Sequence, residues 1–299
     1  MATMHANEFP IDQVLVQALI TSQFPEWDDL PLHKVESAGT DNALYRLGET
    51  MVVRLPRIAW TIDQIASDFR WLLWLQPQLP LQIPQPLAQG QPSAAYPWQW
   101  GVYGWLAGEN AVTATPKNPH VSLSQFLHAL QRIDSQHGPV PASPTARGVP
   151  LIQRDAATRA ALAEAQNLVD AELVLAVWEH AIHIEPWQHA PVWIHGDLHA
   201  GNLLVVDAQI SAVIDFGALA IGDPACDLLP AWNLFDRQMR LAFRTAMNID
   251  QATWLRGRGW ALSVALIALP YYQHSNPFLA NMARYSIQQV LDDWDLEQK

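Results

Sequence analysis

The segment WIHGDLHAGNLL, residues 193–204, is the densest group of polar side chains within an apolar setting in this 299-residue chain. His195, Asp197 and Asn202 stand between two short apolar stretches, residues 192–194 and 203–206, which we predict to be strands. Polar groups in a tight loop between apolar strands need a partner or a function, because burying them unpaired costs free energy. The segment therefore predicts a functional loop.

A second polar group follows close behind the first. Residues 203–206 and 210–214 form two predicted strands joined by a link of hairpin length, and VIDFG at 213–217 places Asp215 at the end of the second strand. A carboxylate at Asp197 can accept a proton from a hydroxyl group. The oxygens of Asn202 and Asp215 are hard ligands on two separate loops, the arrangement that usually holds magnesium with a bound triphosphate.

The pattern H-G-D-x-x-x-x-N, followed by a hydrophobic hairpin and D-F-G, resembles the aminoglycoside phosphotransferase family, which is related to eukaryotic-type protein kinases. The G-D-P-A-x-D of residues 222–227 is also a feature of that family. The resemblance implies an α+β, bilobal, protein-kinase-like fold with a small antiparallel-sheet N-terminal lobe and a larger, mostly helical C-terminal lobe. It also implies transfer of the γ-phosphate of ATP or GTP to a hydroxyl group of a small molecule, with Mg²⁺ as cofactor.

The resemblance assigns roles to residues of the two polar groups. Asp197 would be the catalytic base that orients the acceptor hydroxyl. His195, the second predicted catalytic residue, would support the catalytic loop; a direct chemical role and a structural bond to a backbone carbonyl are both open for it. Asn202 and Asp215 would be the magnesium ligands. Asp227 would anchor the loop that follows Asp215.

The first third of the chain departs from the family pattern. The family carries a lysine on the third strand, but this chain has only three lysines and none of them lies there. Arg54 takes that position, and Asp68 on the following helix stands where the family has glutamate. Arginine can bind phosphate through two parallel hydrogen bonds, so we expect Arg54 to contact the nucleotide phosphates. Gly39, the single glycine of the turn at 37–42, is the other predicted nucleotide-binding residue.

Periodicity and turn residues predict the remaining elements. We predict helices at 11–24, 61–76 (capping box Thr61/Gln64), 122–133 (capping box Ser122/Gln125) and 156–182, and through 223–299 with a break at 270–277. We predict an antiparallel meander of strands at 32–35, 43–47 and 51–55, and a further strand at 98–106. Residues 77–97, with six prolines, are predicted to be a connector. The predicted lobes are residues 1–105 for nucleotide binding and 106–299 for catalysis and substrate binding.

Composition excludes several classes of function. The net charge of −12 leaves no basic footprint for nucleic acid, so we expect no nucleic-acid partner. The most apolar stretch, residues 260–272, is too short to span a membrane, and Pro270 interrupts it. Cys226 is the only cysteine, which fits a reducing compartment. We expect a cytoplasmic protein without a membrane partner.

The sequence leaves the identity of the acceptor open. We expect a hydroxylated small molecule, with cationic compounds among the candidates; an aminoglycoside, a macrolide or an ordinary metabolite fits. Acidic residues of the C-terminal lobe are candidate ligands for ammonium groups or else solvated positions and helix caps: Asp223, Asp227, Asp236, Asp292, Asp293 and Asp295. His199 is expected to pack or to face solvent.

Three other classes compete with a small-molecule kinase. The altered first lobe favours a non-catalytic binding protein on a kinase scaffold, although Asp197, Asn202 and Asp215 are all present. The G-D-x-H of residues 196–199 superficially resembles a metallophosphoesterase element, but such two-metal sites need further ligands. A protein kinase would need an A-P-E element after D-F-G, where this chain has Gly222, Asp223 and Pro224.

Overall fold

An antiparallel sheet of five strands forms the N-terminal part of the protein. The structure is a computed structural model that describes residues 8–35, 41–59, 62–141, 143 and 145–297. The strands of this sheet are β1 (Leu32–Lys34), β2 (Asn42–Leu47), β3 (Met51–Pro56), β4 (Pro86–Gly90) and β5 (Trp100–Gly104). Their order is β1-β2-β3-β5-β4. The predicted meander is confirmed, since β1 pairs with β2 and β2 with β3, both antiparallel.

Strand β4 lies within the proline-rich segment that the sequence predicts as a connector. It begins at Pro86 and forms one edge of the sheet, paired only with β5. Proline has no N–H to donate, which makes it tolerable at the start of a strand and on a sheet edge. Proline density therefore excludes a helix here, as expected, but it does not exclude an edge strand.

Two helices accompany this sheet. Helix α1 (Gln13–Gln23) begins where Asp12 accepts a hydrogen bond from the backbone N–H of Leu15 over 2.8 Å, and it buries Val16, Leu19 and Ile20 in the core of the N-terminal lobe. Helix α2 (Ile62–Leu75) carries Asp68. Its predicted capping box cannot be assessed because Thr61 lies outside the described residues.

The C-terminal part is mostly helical and holds two small antiparallel sheets. Its helices are α3 (Pro119–Arg132), α4 (Asp155–Ala165), α5 (Ala171–Ile182), α6 (Pro230–Asn233), α7 (Arg237–Met247), α8 (Gln251–Tyr272) and α9 (Pro277–Glu297). One sheet joins β7 (Val192–Ile194) to β10 (Ala220–Gly222), and the other has the order β6 (Glu109–Asn110), β8 (Leu203–Val206), β9 (Gln209–Val213). The predicted bilobal α+β architecture is confirmed; the boundary at residues 105/106 stays a prediction.

Helix boundaries differ from the sequence-based expectation in three places. The predicted helix at 156–182 is two helices. The first ends at Ala165, and Asp170 caps the second by accepting a hydrogen bond from the N–H of Leu173. The predicted capping box at Ser122 is wrong: α3 already begins at Pro119, whose fixed φ suits the first helical position. Helix α8 continues through Pro270, so the predicted break falls at residues 273–276.

The short strands bring the two polar loops together. Strand β7 ends one residue before His195, β8 begins one residue after Asn202, and β9 ends two residues before Asp215. The backbone N–H of Ile214 donates to the carbonyl oxygen of Asn202 over 2.9 Å. The side chains predicted to act together are thus carried by adjacent backbone. Among the described residues, no helix combines the length and apolar character that crossing a membrane requires.

Candidate active site

The loop at 195–202 is held in shape by glycine geometry and by a buried carboxylate. Gly196 has φ +81°, and a Cβ there would lie 2.9 Å from the carbonyl oxygen of Ala218. Asp227 is fully buried and accepts hydrogen bonds from the backbone N–H groups of His195 (2.8 Å) and Gly196 (2.6 Å). The expectation that Asp227 anchors the loop after Asp215 is therefore corrected: it anchors the loop that contains Asp197.

Asp197 is surrounded by groups that favour its carboxylate form. Its Oδ1 accepts from Nη2 of Arg147 over 3.1 Å, and its Oδ2 lies 3.4 Å from Nδ2 of Asn202 and 3.6 Å from Nε2 of His199. Burial would raise the pKa of Asp197, but the hydrogen bond and charge of His199, together with Arg147, lower the pKa well below its ordinary value. Asp197 is therefore ready to accept a hydrogen bond from a hydroxyl group at neutral pH.

The buried side chain of His195 contacts both polar loops. It is fully buried, its ring packs edge-on against Phe216 at 4.6 Å, Nε2 bonds to the carbonyl oxygen of Ile214 (3.1 Å), and Nδ1 accepts from the backbone N–H of Asp197 (3.2 Å). Burial lowers its pKa, so the ring is neutral, with a proton on Nε2. Both ring nitrogens are occupied, so we assign His195 to positioning and not to proton transfer.

Asn202 and Asp215 supply the oxygens that a magnesium ion would need. Nδ2 of Asn202 donates to the carbonyl oxygen of Asp197 over 2.8 Å, an orientation that keeps its amide oxygen for another partner. Asp215 has φ +62°, and its side chain is 44% exposed at the mouth of the site. A carboxylate and an amide oxygen on neighbouring loops fit a hard cation that retains several waters or phosphate oxygens.

Arg54 and Asp68 form a buried ion pair. Nη1 of Arg54 lies 2.8 Å from Oδ2 of Asp68, the same oxygen that accepts from the hydroxyl of Tyr103 over 2.9 Å. Nη2 of Arg54 donates to Gln64 (2.9 Å) and lies 3.5 Å from Oδ1 of Asp215. Burial opposes the charge of Arg54, but Asp68 and Asp215 raise its pKa above the ordinary range. The expected facing of Arg54 and Asp68 is confirmed; the contact of Arg54 with nucleotide stays a prediction.

Some expectations have a different outcome or lie outside the structure. Gly39, the predicted phosphate-covering glycine, lies outside the described residues. His199 was expected to pack or to face solvent, yet it lies beside Asp197 and accepts from the N–H of Gly201 over 3.0 Å. Arg147 was missed, because it sits in a loop rich in proline and glycine with no local motif around it. It comes close to Asp197 because the next residue, Gly148, packs against Gly222 of β10 and the Cβ of Arg147 itself lies next to Gly196.

The acidic residues considered for ammonium binding are mostly engaged within the protein. Asp223 pairs with Arg256 over 2.6 Å, and Asp293 lies 3.3 Å from Arg240. Asp236 caps helix α7. Two more accept hydrogen bonds, Asp227 from the catalytic loop and Asp292 from the side chain of Gln288. The alternative of helix caps or solvated positions thus holds for Asp236, a cap, and for Asp295, which is exposed, while most of the others have partners within the protein.

Comparison with known proteins agrees with this geometry. The model of the phosphotransferase enzyme family matches residues 34–260, about three quarters of the chain. The chain belongs to the phosphotransferase enzyme family. Within it, an aminoglycoside 3′-phosphotransferase from Escherichia coli is 37% identical over 60 residues, a match that spans 20% of this chain and 22% of that relative.

The similarity to solved structures covers nearly the whole chain. The GDP complex of a point mutant of aminoglycoside 2′-phosphotransferase-IIIa matches with a TM-score of 0.75 at 16% identity, covering 95% of this chain and 99% of that one. The apoenzyme of macrolide 2′-phosphotransferase MphH from Brachybacterium faecium matches with a TM-score of 0.63 at 21% identity, covering 93% and 98%. At these identities the likeness shows the kinase-like fold.

Proposed function

We propose that this protein transfers the γ-phosphate of a nucleoside triphosphate to a hydroxyl group of a small molecule, with Mg²⁺ as cofactor. The observation that carries the proposal is the constellation of Asp197, Asn202 and Asp215 on two adjacent loops, faced by the Arg54–Asp68 pair. Family membership supports the same reaction class.

Asp197 would act on the acceptor hydroxyl. The hydroxyl donates a hydrogen bond to the carboxylate, its oxygen forms the new bond to the γ-phosphorus, the bond to the β-phosphate oxygen breaks, and the proton passes to Asp197 as the nucleoside diphosphate leaves. The backbone N–H groups of His195 and Gly196 donate to Asp227, and the N–H of Asp197 donates to Nδ1 of His195; these bonds hold Asp197 in place. The protein contributes mainly position and charge in a reaction of this kind.

Asn202, Asp215 and Arg54 would serve the donor. Asn202 and Asp215 would hold the magnesium ion, which when bound neutralises the phosphate charges. Arg54 lies 3.5 Å from Asp215, so its guanidinium is next to the place where that ion and the phosphates belong. Similar structures were solved with GDP and with ADP, which supports ATP or GTP as donor. Such a donor also supports a cytoplasmic location.

The similar structures offer two acceptor classes. One was solved with gentamicin and another belongs to a macrolide phosphotransferase. We propose a hydroxylated small molecule of the size of these antibiotics or smaller, and antibiotic resistance would follow only from an antibiotic acceptor.

Magnesium-dependent release of ADP and GDP, measured over a panel of aminoglycosides, macrolides and hydroxylated metabolites, tests the proposal. We expect at least one acceptor to stimulate release, and we expect Asp197→Asn to abolish the stimulation while Mg²⁺–nucleotide binding persists. Nucleotide binding without stimulation by any acceptor, or full activity of Asp197→Asn, would contradict it. The first result would support a kinase-like binding protein instead.

A further inference from the structure

Arg147 contacts Asp197, the residue that the proposed function assigns to the acceptor hydroxyl. Its Nη2 contacts Oδ1 of Asp197 at 3.1 Å, and its side chain is 21% exposed. The other carboxylate oxygen, Oδ2, is the one near Asn202. Because the proposed function assigns Asn202 to the metal and nucleotide, it leaves Oδ1, the oxygen that Arg147 contacts, for the acceptor hydroxyl.

The backbone that carries Arg147 is fixed by close packing. Gly148 has φ +78°, and its carbonyl oxygen accepts from the N–H of Asp223 over 3.1 Å. A Cβ on Gly222 would lie 2.4 Å from that carbonyl oxygen, and a Cβ on Gly196 would lie 2.9 Å from the Cβ of Arg147. The guanidinium therefore starts from a well-anchored position and contributes a fixed positive charge to the site.

A second cation strengthens the positive field. Arg154 is buried, and its guanidinium bonds to neutral groups, the hydroxyl of Ser263 and the carbonyl oxygen of Thr145. Burial and the nearby charge of Arg147 lower the pKa of Arg154 to about 10, which leaves it charged at neutral pH. Asp227, another carboxylate that faces Arg147, is fully buried and bonded to the catalytic loop. Asp227 is therefore not accessible to an acceptor on this side, whereas the guanidinium of Arg147, 21% exposed, is accessible.

We infer that Arg147 determines specificity for an acceptor that carries an anionic oxygen group, a carboxylate or a phosphate, close to the hydroxyl that is phosphorylated. A guanidinium binds either group through two parallel N–H bonds. An ammonium group in the same place would be repelled by Arg147 and would find Asp223, Asp227 and Asp293 engaged elsewhere. The inference rests on the proposed function, since it takes Asp197 as the residue that meets the acceptor.

Acceptors that share a number of carbon atoms and differ in the charge of one substituent test the inference. On a three-carbon skeleton the probes are glycerate and glycerol 3-phosphate (anionic), glycerol (neutral) and 3-amino-1,2-propanediol (cationic). On a six-carbon skeleton they are gluconate and glucose 6-phosphate, glucose, and glucosamine. Binding is measured by titration calorimetry on the full chain with Mg²⁺ and a non-hydrolysable ATP or GTP analogue. Comparing glycerate with glycerol 3-phosphate, and gluconate with glucose 6-phosphate, identifies whether a carboxylate or a phosphate is preferred.

We expect the wild-type protein to bind an anionic probe at least about tenfold more tightly than its neutral and cationic counterparts, a ratio that corresponds to about 1.4 kcal/mol. Arg147→Gln should reduce the ratio to about twofold or less, and Arg147→Lys should retain part of it. The matched control is Arg159→Gln, because Arg159 also pairs with an aspartate, Asp155 at 2.8 Å, but its side chain is 40% exposed on α4. This control should leave the ratio unchanged.

Three results would overturn the inference: tighter binding of a cationic probe, the same ratio in Arg147→Gln as in the wild type, or no binding of any anionic probe. Thermal unfolding of each variant shows that the variants are folded. Failure of the proposed function is recognised separately, because it would appear as absent Mg²⁺–nucleotide binding in the wild-type protein before any acceptor is added.

Discussion

At the scale of single residues, the state of Asp197 is set by its neighbours. Burial of part of this carboxylate, whose side chain is 34% exposed, would raise its pKa, yet the contacts from His199 and Arg147 lower the pKa below its ordinary value. A base with a low pKa accepts a hydrogen bond and orients a hydroxyl more than it removes a proton in advance. This suits a reaction in which most of the work is positioning and charge neutralisation.

Replacing His199 should therefore shift the pH dependence of turnover. In His199→Gln the pKa of Asp197 rises, so protonation begins at a higher pH and the acidic limb of the kcat/KM profile moves to higher pH than in the wild type. The measurement is the pH profile of kcat/KM for an acceptor that the protein uses. His33→Gln, on exposed strand β1, should leave the profile unchanged. An identical acidic limb in His199→Gln and the wild type would show that His199 does not tune Asp197.

The Arg54–Asp68 pair allows stability to be separated from nucleotide binding. Arg54→Met leaves Asp68, only 2% exposed, without its cation, so we expect a loss of about 3–5 kcal/mol in the free energy of unfolding and a higher nucleotide KM. The double variant Arg54→Met/Asp68→Leu removes both charges and should recover most of the stability, because apolar replacement of a buried pair is often neutral. Nucleotide KM should stay high in the double variant. Denaturant unfolding and initial rates measure the two effects; recovery of the KM would argue against a nucleotide contact.

At the scale of elements, the sequence predicts the strands and helices that a local residue pattern specifies. It does not predict those that form only because another strand pairs with them. Strands β2 and β3 have clear turns around them and were predicted within a residue or two. Strands β6 and β10 have two and three residues, too few for a period, and exist because β8 and β7 offer them partners. In the site, the motif residues were predictable because their spacing is local, whereas Arg147 reaches Asp197 across 50 residues of chain.

The contact between the Arg147 loop and strand β10 gives a prediction at this scale. Gly222→Ala places a Cβ 2.4 Å from the carbonyl oxygen of Gly148, where the nearest atoms are backbone and cannot move aside cheaply. We expect a loss of about 1–3 kcal/mol in the free energy of unfolding and reduced turnover, because the loop that carries Arg147 must shift.

Gly104→Ala is the matched control for this variant. A Cβ at Gly104 would meet its nearest atom, in the side chain of Gln85, at 3.7 Å, an ordinary contact. Its free energy of unfolding should stay within about 0.5 kcal/mol of the wild type. Denaturant unfolding of both variants, with turnover measured beside it, makes the comparison. Equal stability of the two would mean that the backbone at Gly148 is not fixed by β10.

At the scale of the whole molecule, the site lies where two hydrophobic cores meet. One core fills the N-terminal lobe and includes Val53 and Leu55 of β3; the other fills the C-terminal lobe and includes Ile194 and Phe216. Backbone bonds of Gln82 to β9 tie the connector after α2 to the C-terminal lobe. The link between Arg54 and Asp215 crosses from one lobe to the other at 3.5 Å. A ligand held by both residues therefore binds the two lobes together.

This arrangement predicts that Mg²⁺–nucleotide stabilises the whole protein through Asp215. A ligand at one hundred times its Kd adds about 2.7 kcal/mol to the free energy of unfolding, which corresponds to a rise of several degrees in Tm. Asp215→Asn keeps a residue type that tolerates φ +62° but loses the anionic ligand, so we expect little or no rise in Tm with Mg²⁺–ATP or Mg²⁺–GTP.

Asp197→Asn is the informative counterpart in the same experiment. It removes the base but leaves Asp215, Asn202 and Arg54 in place, so its Tm should rise with Mg²⁺–nucleotide as in the wild type while its turnover is lost. Differential scanning calorimetry of the three proteins, each with nucleotide in the presence of Mg²⁺ and of EDTA, separates donor binding from chemistry. A wild-type rise in Tm that persists in Asp215→Asn would place the metal on other residues, and a rise that persists in EDTA would mean that the nucleotide binds without the metal. A rise that disappears in both variants would mean that Asp197 takes part in donor binding and does not act on the acceptor alone.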